Sequence, residues 1–459
     1  MLKSIFACAV VFMTVACNAE QVTEDTQRSP NIVIFFTDDM GYADLSCYGS
    51  KVCTTPNLDA LAKRGMRFTD FYVTAAVCSA SRSSLVTGLY PPRAGIRGAL
   101  GPKNKNGLKP EFTTIAEAVK PVGYATACIG KWHLGHLPQH LPTSHGFDEY
   151  YGLPYSNDMW PWHYGDQDRG VIGNPNWPDL PLIDGVETVE LNPRQESLTP
   201  RYTKRALDFI DRSKDKPFLL YYAHSHPHIP IAASDKFKGS TGKGLYADMI
   251  AEIDDSVGQV VKRLEKHGLT ENTLVIFASD NGPWTKFGNY AGETGPLFGD
   301  KGTTFEGGTR VPGIFCWPGK IPAGKETDAI ASTLDLLPTI VAITGGQKPA
   351  QELDGHNIAP LLLGETDKSP TEVFYYQYGG QMQAVRVGDW KLHIPHKWRK
   401  VVEPGMDGQP GKQGYPTIEL SLFNLKDDIG ESKNVAEQNP EVVKQMLEHI
   451  ERGKQLMRR

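Results

Sequence analysis

Short continuous apolar runs alternate with longer segments in which apolar residues recur every three or four positions, and this alternation fills most of the chain. Residues 31–37 (NIVIFFT) are rich in β-branched and aromatic side chains, the pattern of a strand buried on both faces. Residues 124–129, 218–223, 273–278 and 311–317 repeat it. Between them lie helical patterns. Residues 55–65 read as a helix with Thr55 at the N-cap, Pro56 at the first position and Gly65 past the end. Thr114 and Glu117 have capping-box spacing. Over 246–267, Met249, Ile250, Ile253, Val257, Val260, Val261 and Leu264 keep a helical period. The alternation predicts an α/β fold: a large, mostly parallel sheet flanked by helices. After Gly364 the pattern changes. Residues 373–378, 382–387 and 390–394 suit an antiparallel sheet and 440–452 a terminal helix, so the body is 30–364 and a smaller C-terminal subdomain is 365–459.

Polar clusters fall just past four of the predicted strands: Asp38 and Asp39; Lys131 and His133; His224, His226 and His228; Asp280 and Asn281. In open parallel sheets that edge is where ligands bind. Singly, each cluster has a plain reading, such as turn chemistry before Gly41 and Gly282; together at one edge they favour a site. Asp38, Asp39, Asp280 and Asn281 offer only oxygen donors, which suits Ca²⁺ or Mg²⁺ rather than zinc.

A chain of 459 residues exceeds a single core. Its net charge of −5 provides no basic field for nucleic acid. An anionic ligand must therefore be held by local cations, with Arg82, Lys131 and Lys301 as candidates. Residues 1–17 read as a secretory signal: Lys3 is followed by an apolar stretch too short to span a membrane. Thr14 to Cys17 form a bacterial lipoprotein box, giving either a lipid anchor on Cys17 or cleavage nearby. Residues 18–29 are a polar linker. The expectation is an exported protein, periplasmic or attached to the outer membrane. Setting aside Cys8 and Cys17, the five remaining cysteines leave at least one unpaired or modified. Cys47 and Cys53 are close enough for a short-loop disulfide, and Cys128 and Cys316 sit in core-like runs.

Cys78 stands apart. It follows the apolar run 71–77, opens a helix-like segment and is followed by Ala80 and Arg82. A helix N-terminus favours negative charge on such a side chain, whereas a plain reading is a buried structural thiol. The spacing Cys78-x-Ala80-x-Arg82, running on to Gly88, resembles the signature of type I sulfatases. In order along the chain, 37–41 (TDDMG), 55–59 (TPNLD), 130–135 (GKWHLG), 152–157 (GLPYSN), 226–230 (HPHIP), 279–282 (SDNG) and 299–308 (GDKGTTFEGG) are similar to the arylsulfatase A branch of that family, which includes N-acetylgalactosamine-6-sulfatases.

The resemblance implies an alkaline phosphatase-like fold and a sulfatase that hydrolyses sulfate monoesters through a covalent sulfo-enzyme intermediate. Cys78 would be converted to formylglycine, whose hydrate is the nucleophile. Asp38, Asp39, Asp280 and Asn281 would bind Ca²⁺. Arg82 and Lys131 would hold the hydrate, and His133 would take a proton from the sulfated intermediate. His228, with Lys301, would bind sulfate and protonate the leaving alcohol. Ser156 would contact sulfate, and His226 matches a histidine of less defined role. Ala80 replaces the commoner proline, so conversion depends on a compatible formylglycine-generating maturase. The superfamily's phosphomonoesterases and phosphodiesterases are the alternative, but they pair serine or threonine with two zincs and a histidine where Asn281 stands. A non-catalytic glycan-binding protein would not need the cationic residues kept here.

Substrate contacts are read from two aromatic and basic runs. Tyr150, Tyr151, Tyr155, Trp160, Trp162, His163 and Tyr164 surround Ser156 and suit either stacking on a sugar or loop packing. Trp160 and Trp162 are the substrate-binding candidates among them. Lys391, His393, His396, Lys397, Trp398, Arg399 and Lys400 suit a polyanionic glycan or a solvated face. Export points to a sulfated polysaccharide or oligosaccharide, with galactose-type units implied only by the branch resemblance.

Overall fold

The computed structural model describes residues 28–162 and 177–458. The signal and lipoprotein segment, most of the linker, His163 and Tyr164 lie outside the described residues. No helix among the described residues is long and apolar enough to cross a membrane.

One large sheet organises the body. Its strands are β1 (Asn31–Thr37), β2 (Met66–Tyr72), β3 (Ala125–Gly130), β4 (Glu149–Gly152), β5 (Pro181–Asp184), β6 (Glu187–Leu191), β7 (Phe218–Ala223), β8 (Thr273–Ser279), β9 (Arg310–Cys316), β10 (Lys325–Thr327) and β11 (Ala331–Ser332). They lie in the order β10-β2-β9-β8-β1-β7-β3-β4-β5-β6, with β11 beside β2. The central strands β8, β1, β7, β3 and β4 are parallel. β9 runs antiparallel to both β8 and β2, and β4, β5 and β6 are also joined antiparallel, so the sheet is mixed.

The run at β1 shows why its centre is buried on both faces. Val33 and Phe35 point into one core, filled from the helices Pro56–Arg64, Leu198–Ser213 and Leu245–Lys266. Ile32, Ile34 and Phe36 point into the other, filled from Cys78–Thr87, Ile115–Val119 and Leu336–Thr344. Each such side chain contributes roughly 1.5–3 kcal/mol by leaving water. Thr114 caps its helix as expected: its Oγ1 accepts from Glu117 N at 3.2 Å, and Glu117 accepts from Thr114 N at 2.8 Å. Thr55 does not cap its own helix, because its hydroxyl accepts from Ser46 N at 2.9 Å and donates to Asp59 at 3.2 Å.

The C-terminal subdomain is an antiparallel sheet of Val373–Tyr378, Gln381–Val387, Trp390–His393 and Ser421–Asn424, in that order. The helix Pro440–Leu456 packs Met446 and Ile450 on its face. A buried ionic knot joins this sheet to the body. Lys391 Nζ lies 2.8 Å from Glu306 Oε1 and 2.9 Å from Glu431 Oε1, with all three side chains out of water. Against the upward push of burial, Lys391, Arg310 and Arg386 hold the Glu306 carboxyl far below its usual range.

Candidate active site

The central strands deliver their polar residues to one edge. Backbone bonds lock the loops there: Asp38 N donates to His226 O, Lys131 N to Ala223 O and Asp280 N to Thr37 O, at 3.2, 2.7 and 3.0 Å. Gly130 has φ +107, and a Cβ there would sit 1.8 Å from Ala223 O, so only glycine lets β3 end this close to β7. Asp39 and His133 themselves adopt φ values of 64° and 59°, strained for residues with a Cβ and found at the site.

Cys78 is the first residue of a ten-residue helix whose residues are all buried. Burial pushes its thiol well up, more than Lys131 and Lys301 pull it down, so it is a neutral thiol rather than a thiolate. The activated cysteine expected from the helix N-terminus is therefore not what forms: desolvation outweighs the charges of the two lysines. Lys301 Nζ lies 3.5 Å from Sγ, 2.6 Å from Asp39 Oδ1, and 4.5 Å from the centre of the Trp284 ring.

Three cations meet three carboxylates. Lys131 donates to Asp38 and, at 3.1 Å, to Ser156 Oγ. Arg82 donates from Nε to Asp280 Oδ2 at 2.9 Å, with Nη2 2.8 Å from the same oxygen, and from Nη1 to the Lys131 carbonyl at 3.0 Å. Lys301 takes Asp39. Burial pushes the Asp38 carboxyl up, but Lys131, His228 and Arg82 hold it well below its usual value. Burial and the charge of Asp38 push Asp280 up to about 7, while the same carboxylate strengthens Arg82 as a cation. The hydrogen bond and close approach of the guanidinium to Oδ2 decide for an ionised pair, since the guanidinium keeps its proton.

The oxygen donors fit a hard cation. Asp38 Oδ1 and Asn281 Oδ1 are buried and accept no hydrogen bond, a costly state unless a cation takes them. Asn281 Nδ2 donates to Asp39 Oδ1 at 2.7 Å and Gly282 O at 2.8 Å, which turns its amide oxygen the other way. Asp38, Asp39, Cys78 and His228 place one donor atom each within 4.8 Å of one another. That group differs from the expected oxygen set in holding a thiol and an imidazole and lacking Asp280. The unaccepted oxygens of Asp38 and Asn281 favour the oxygen set, and Cys78 and His228 then border it.

The two histidines present different nitrogens. His133 Nε2 bonds the Leu100 carbonyl at 2.8 Å, so it carries the proton and leaves Nδ1 without a partner. Burial and Lys131 hold its imidazole neutral. His228 Nδ1 donates to Ile229 O at 2.6 Å, leaving Nε2 3.5 Å from Asp39 Oδ2. Cys78, His133, Ser156, His228 and Lys301 all border one cavity of about 310 Å³.

Other expected residues lie elsewhere. His224 and His226 are buried behind the edge, His226 Nδ1 being 3.5 Å from Thr199 Oγ1. Trp160 is 1% exposed, and its ring packs at 5.1 Å on Trp162 in the core cluster. Neither tryptophan is among the described residues that border the cavity; Trp160 lies in the core beside the sheet with Trp162 packed partly buried against it. The basic run splits. Lys391 and His393 are buried against Glu431, Trp398 packs on Phe298 and Phe305, Lys397 and Lys400 are exposed, and only Arg399 reaches the cavity. Arg97, Asp158, Met159, Trp284 and Tyr378 also line it and were missed. Trp284 had a signal, lying just beyond Asp280 and Asn281. Arg97 and Tyr378 had none. Cys47 and Cys53 are both free thiols.

Known proteins match this arrangement along nearly its whole length. A family model described as Sulfatase matches residues 30–346, and one described as the C-terminal region of aryl-sulfatase matches residues 369–459. Arylsulfatase A of Bos taurus is 38% identical over 447 residues, spanning 92% of this chain and 86% of that protein. Among solved structures, PsFucS1 sulfatase from Pseudoalteromonas sp. superposes with a TM-score of 0.84 at 29% identity, covering 94% of this chain and 91% of that one. Ps i-CgsB in complex with k-i-k-neocarrahexaose gives a TM-score of 0.77 at 32% identity, covering 93% of each chain. With the signature cysteine, three paired cations and an oxygen-lined pocket at one sheet edge, the chain belongs to the sulfatase family and is a sulfuric ester hydrolase.

Proposed function

We propose that this sulfatase removes sulfate from a saccharide of polysaccharide origin, with Cys78 matured to formylglycine and Ca²⁺ held by Asp38, Asp39, Asp280 and Asn281. The observation that carries the reading is the setting of Cys78. A neutral, buried thiol is a poor nucleophile, yet it stands 3.5 Å from an ammonium and beside two carboxylates and a histidine in the wall of a cavity. An aldehyde there would supply, once hydrated, an attacking oxygen and a second hydroxyl able to expel sulfate, and Ca²⁺ would neutralise the sulfate oxygens.

The chain's own residues supply the rest. Arg82 and Lys131 place positive charge beneath the reacting group, and Lys131 fixes Ser156 at its edge. His228, its Nδ1–H spent on Ile229 O, offers Nε2 to the leaving oxygen, where the protonated ring acts as acid. Lys301 stands ready beside it. His133, neutral with Nδ1 open, is the base that takes a proton as sulfate departs.

The oligosaccharide held by Ps i-CgsB supports a saccharide substrate. A formylglycine-generating maturase acting on Cys78 is the required partner, and residues 1–17 support export to the periplasm with Cys17 as the point of lipid attachment. The test is sulfate release from an aryl sulfate and from a panel of sulfated saccharides, beside the matching aryl phosphate, using protein made with a maturase. Sulfate turnover far above phosphate turnover is expected. Preference for the phosphate would overturn the reading.

A further inference from the structure

The cavity continues outward from the catalytic groups, and its outer wall carries two more cations. In the centre each cation faces its own carboxylate: Lys131 with Asp38, Arg82 with Asp280, Lys301 with Asp39. Farther out stand Arg97 and Arg399. Arg97 is exposed and makes no ion pair among the described residues. Arg399 donates from Nη2 to Lys301 O at 2.7 Å and has its guanidinium 6.0 Å from the centre of the Trp284 ring, while its Nε is buried without an acceptor. Asp300 lies within its electrostatic reach but is bonded to Thr285. The one carboxylate on the described cavity wall is Asp158, itself only 6% exposed.

Both arginines are fitted into place. The Arg97 stem lies on Gly380, where a Cβ would come within 2.8 Å of its Cδ; at Gly302 a Cβ would meet Arg399 Nη2 at 1.8 Å. Arg97 thus rests on the turn Tyr378-Gly379-Gly380 of the C-terminal sheet, and Arg399 on the loop that carries Lys301. A guanidinium presents five donors in a fork suited to sulfate or carboxylate, and among the described residues neither of these two forms an ion pair with a carboxylate.

We propose that Arg97 and Arg399 form a subsite for a second anionic group, a sulfate ester or a carboxylate, carried by the same substrate beside the sulfate that is removed. This rests on the saccharide reading above and deepens it: the substrate class is a saccharide with at least two neighbouring anions. The wall's cations are contributed by both the body and the C-terminal subdomain, so the two together set specificity.

Binding separates this proposal from the catalytic one. The full-length Cys78→Ala protein, which needs no maturation, is titrated calorimetrically with three probes: a galactoside sulfated once, the same galactoside sulfated twice, and a disaccharide pairing one sulfate with a uronate. A second anion is expected to tighten binding by about tenfold to a hundredfold, the range for hydrogen bonds to charged groups. Whether the disulfated sugar or the uronate gains more identifies the second anion. Adding Arg97→Ala should bring the ratio close to one, Arg97→Lys should keep part of it, and added salt should narrow it. Equal binding of singly and doubly charged probes, or a ratio unchanged by Arg97→Ala, would overturn the subsite alone, whereas no binding by any probe would overturn the saccharide reading and the subsite with it. Sulfate release by the matured wild-type enzyme tests the catalytic reading separately.

Discussion

Lys301 Nζ lies 3.5 Å from Cys78 Sγ, although 223 positions separate them in the chain. The contact is held by the backbone: Lys301 N donates to Pro283 O at 2.9 Å and Gly302 N to Ala76 O at 2.8 Å, tying the lysine loop to the segment entering the Cys78 helix. The same ammonium reaches Asp39, so one side chain joins the reactive residue to the candidate cation site.

Replacing Cys78 by serine keeps the size and burial of the side chain but, in protein made with a maturase that oxidises only cysteine, leaves a plain hydroxyl. Turnover should fall by about a thousandfold or more, because a plain hydroxyl attacked once has no second hydroxyl with which to expel sulfate. The far-ultraviolet spectrum and melting temperature should stay near wild type. Steady-state kinetics on an aryl sulfate measures it, and wild-type turnover by Cys78→Ser would sink the aldehyde mechanism.

His228 and His133 should fail differently. His228→Ala should hurt a sulfated sugar, with its poor leaving group, far more than an activated aryl sulfate. His133→Ala should slow both to a similar limiting rate and let a sulfated protein accumulate, visible by intact mass. Lys301 softens the first contrast, since it stands beside the same site. Equal losses on both substrates in His228→Ala would refute the acid role.

Chelation should abolish most activity, and Ca²⁺ should restore it better than Zn²⁺, because Asp38 and Asn281 offer buried oxygens awaiting a hard cation. Binding also has a readout apart from activity. Calcium at a hundred times its dissociation constant should add about 2.7 kcal/mol to stability, seen as a raised melting temperature. In Asn281→Ala the calcium-dependent rise should shrink. A larger rise with zinc than with calcium would contradict the oxygen site.

Protonation of His145 and His224 should withdraw stability on acidification from about pH 6.5, against the opposite contribution of buried carboxylates such as Asp44 and Asp335, which burial pushes up to about 7 and about 6. Burial lowers His145 to about 4, helped by His140, and lowers His224 to about 3, helped by His226 and Arg82. Both are neutral when folded and take up a proton more readily when unfolded. Their stabilising effect is therefore full above 6.5 and is lost as pH falls toward 4 and 3. For His145 the shift corresponds to roughly 3 kcal/mol at most. Denaturant midpoints across pH 7 to 4 measure it as a difference: wild type should lose stability relative to His145→Gln as pH falls.

The centre of the fold was legible because a strand buried on both faces must be apolar at every position, as 31–37 and 218–223 are. The strand Met66–Tyr72 was not, since Arg67, Thr69 and Asp70 interrupt it; Asp70 is tolerated only because Arg310 and Arg386 pair with it from far along the chain. The antiparallel direction of β9 escaped too, as apolar content carries no direction. The catalytic edge was readable from polar residues following each strand. The outer wall was not: Arg97, Tyr378 and Arg399 are brought together by packing alone. Lys391 misled for the matching reason, its density of neighbouring charge suggesting a solvated run when Glu306 and Glu431 bury it.

The central claim is that Cys78 is a precursor rather than a working thiol. The mass of the tryptic peptide spanning residues 68–82, from protein made with a maturase, tests it most directly. The account predicts an aldehyde in place of the thiol, reactive toward a hydrazine probe, in a proportion that tracks specific activity across preparations. Fully active enzyme whose peptide carries only unmodified cysteine would contradict it.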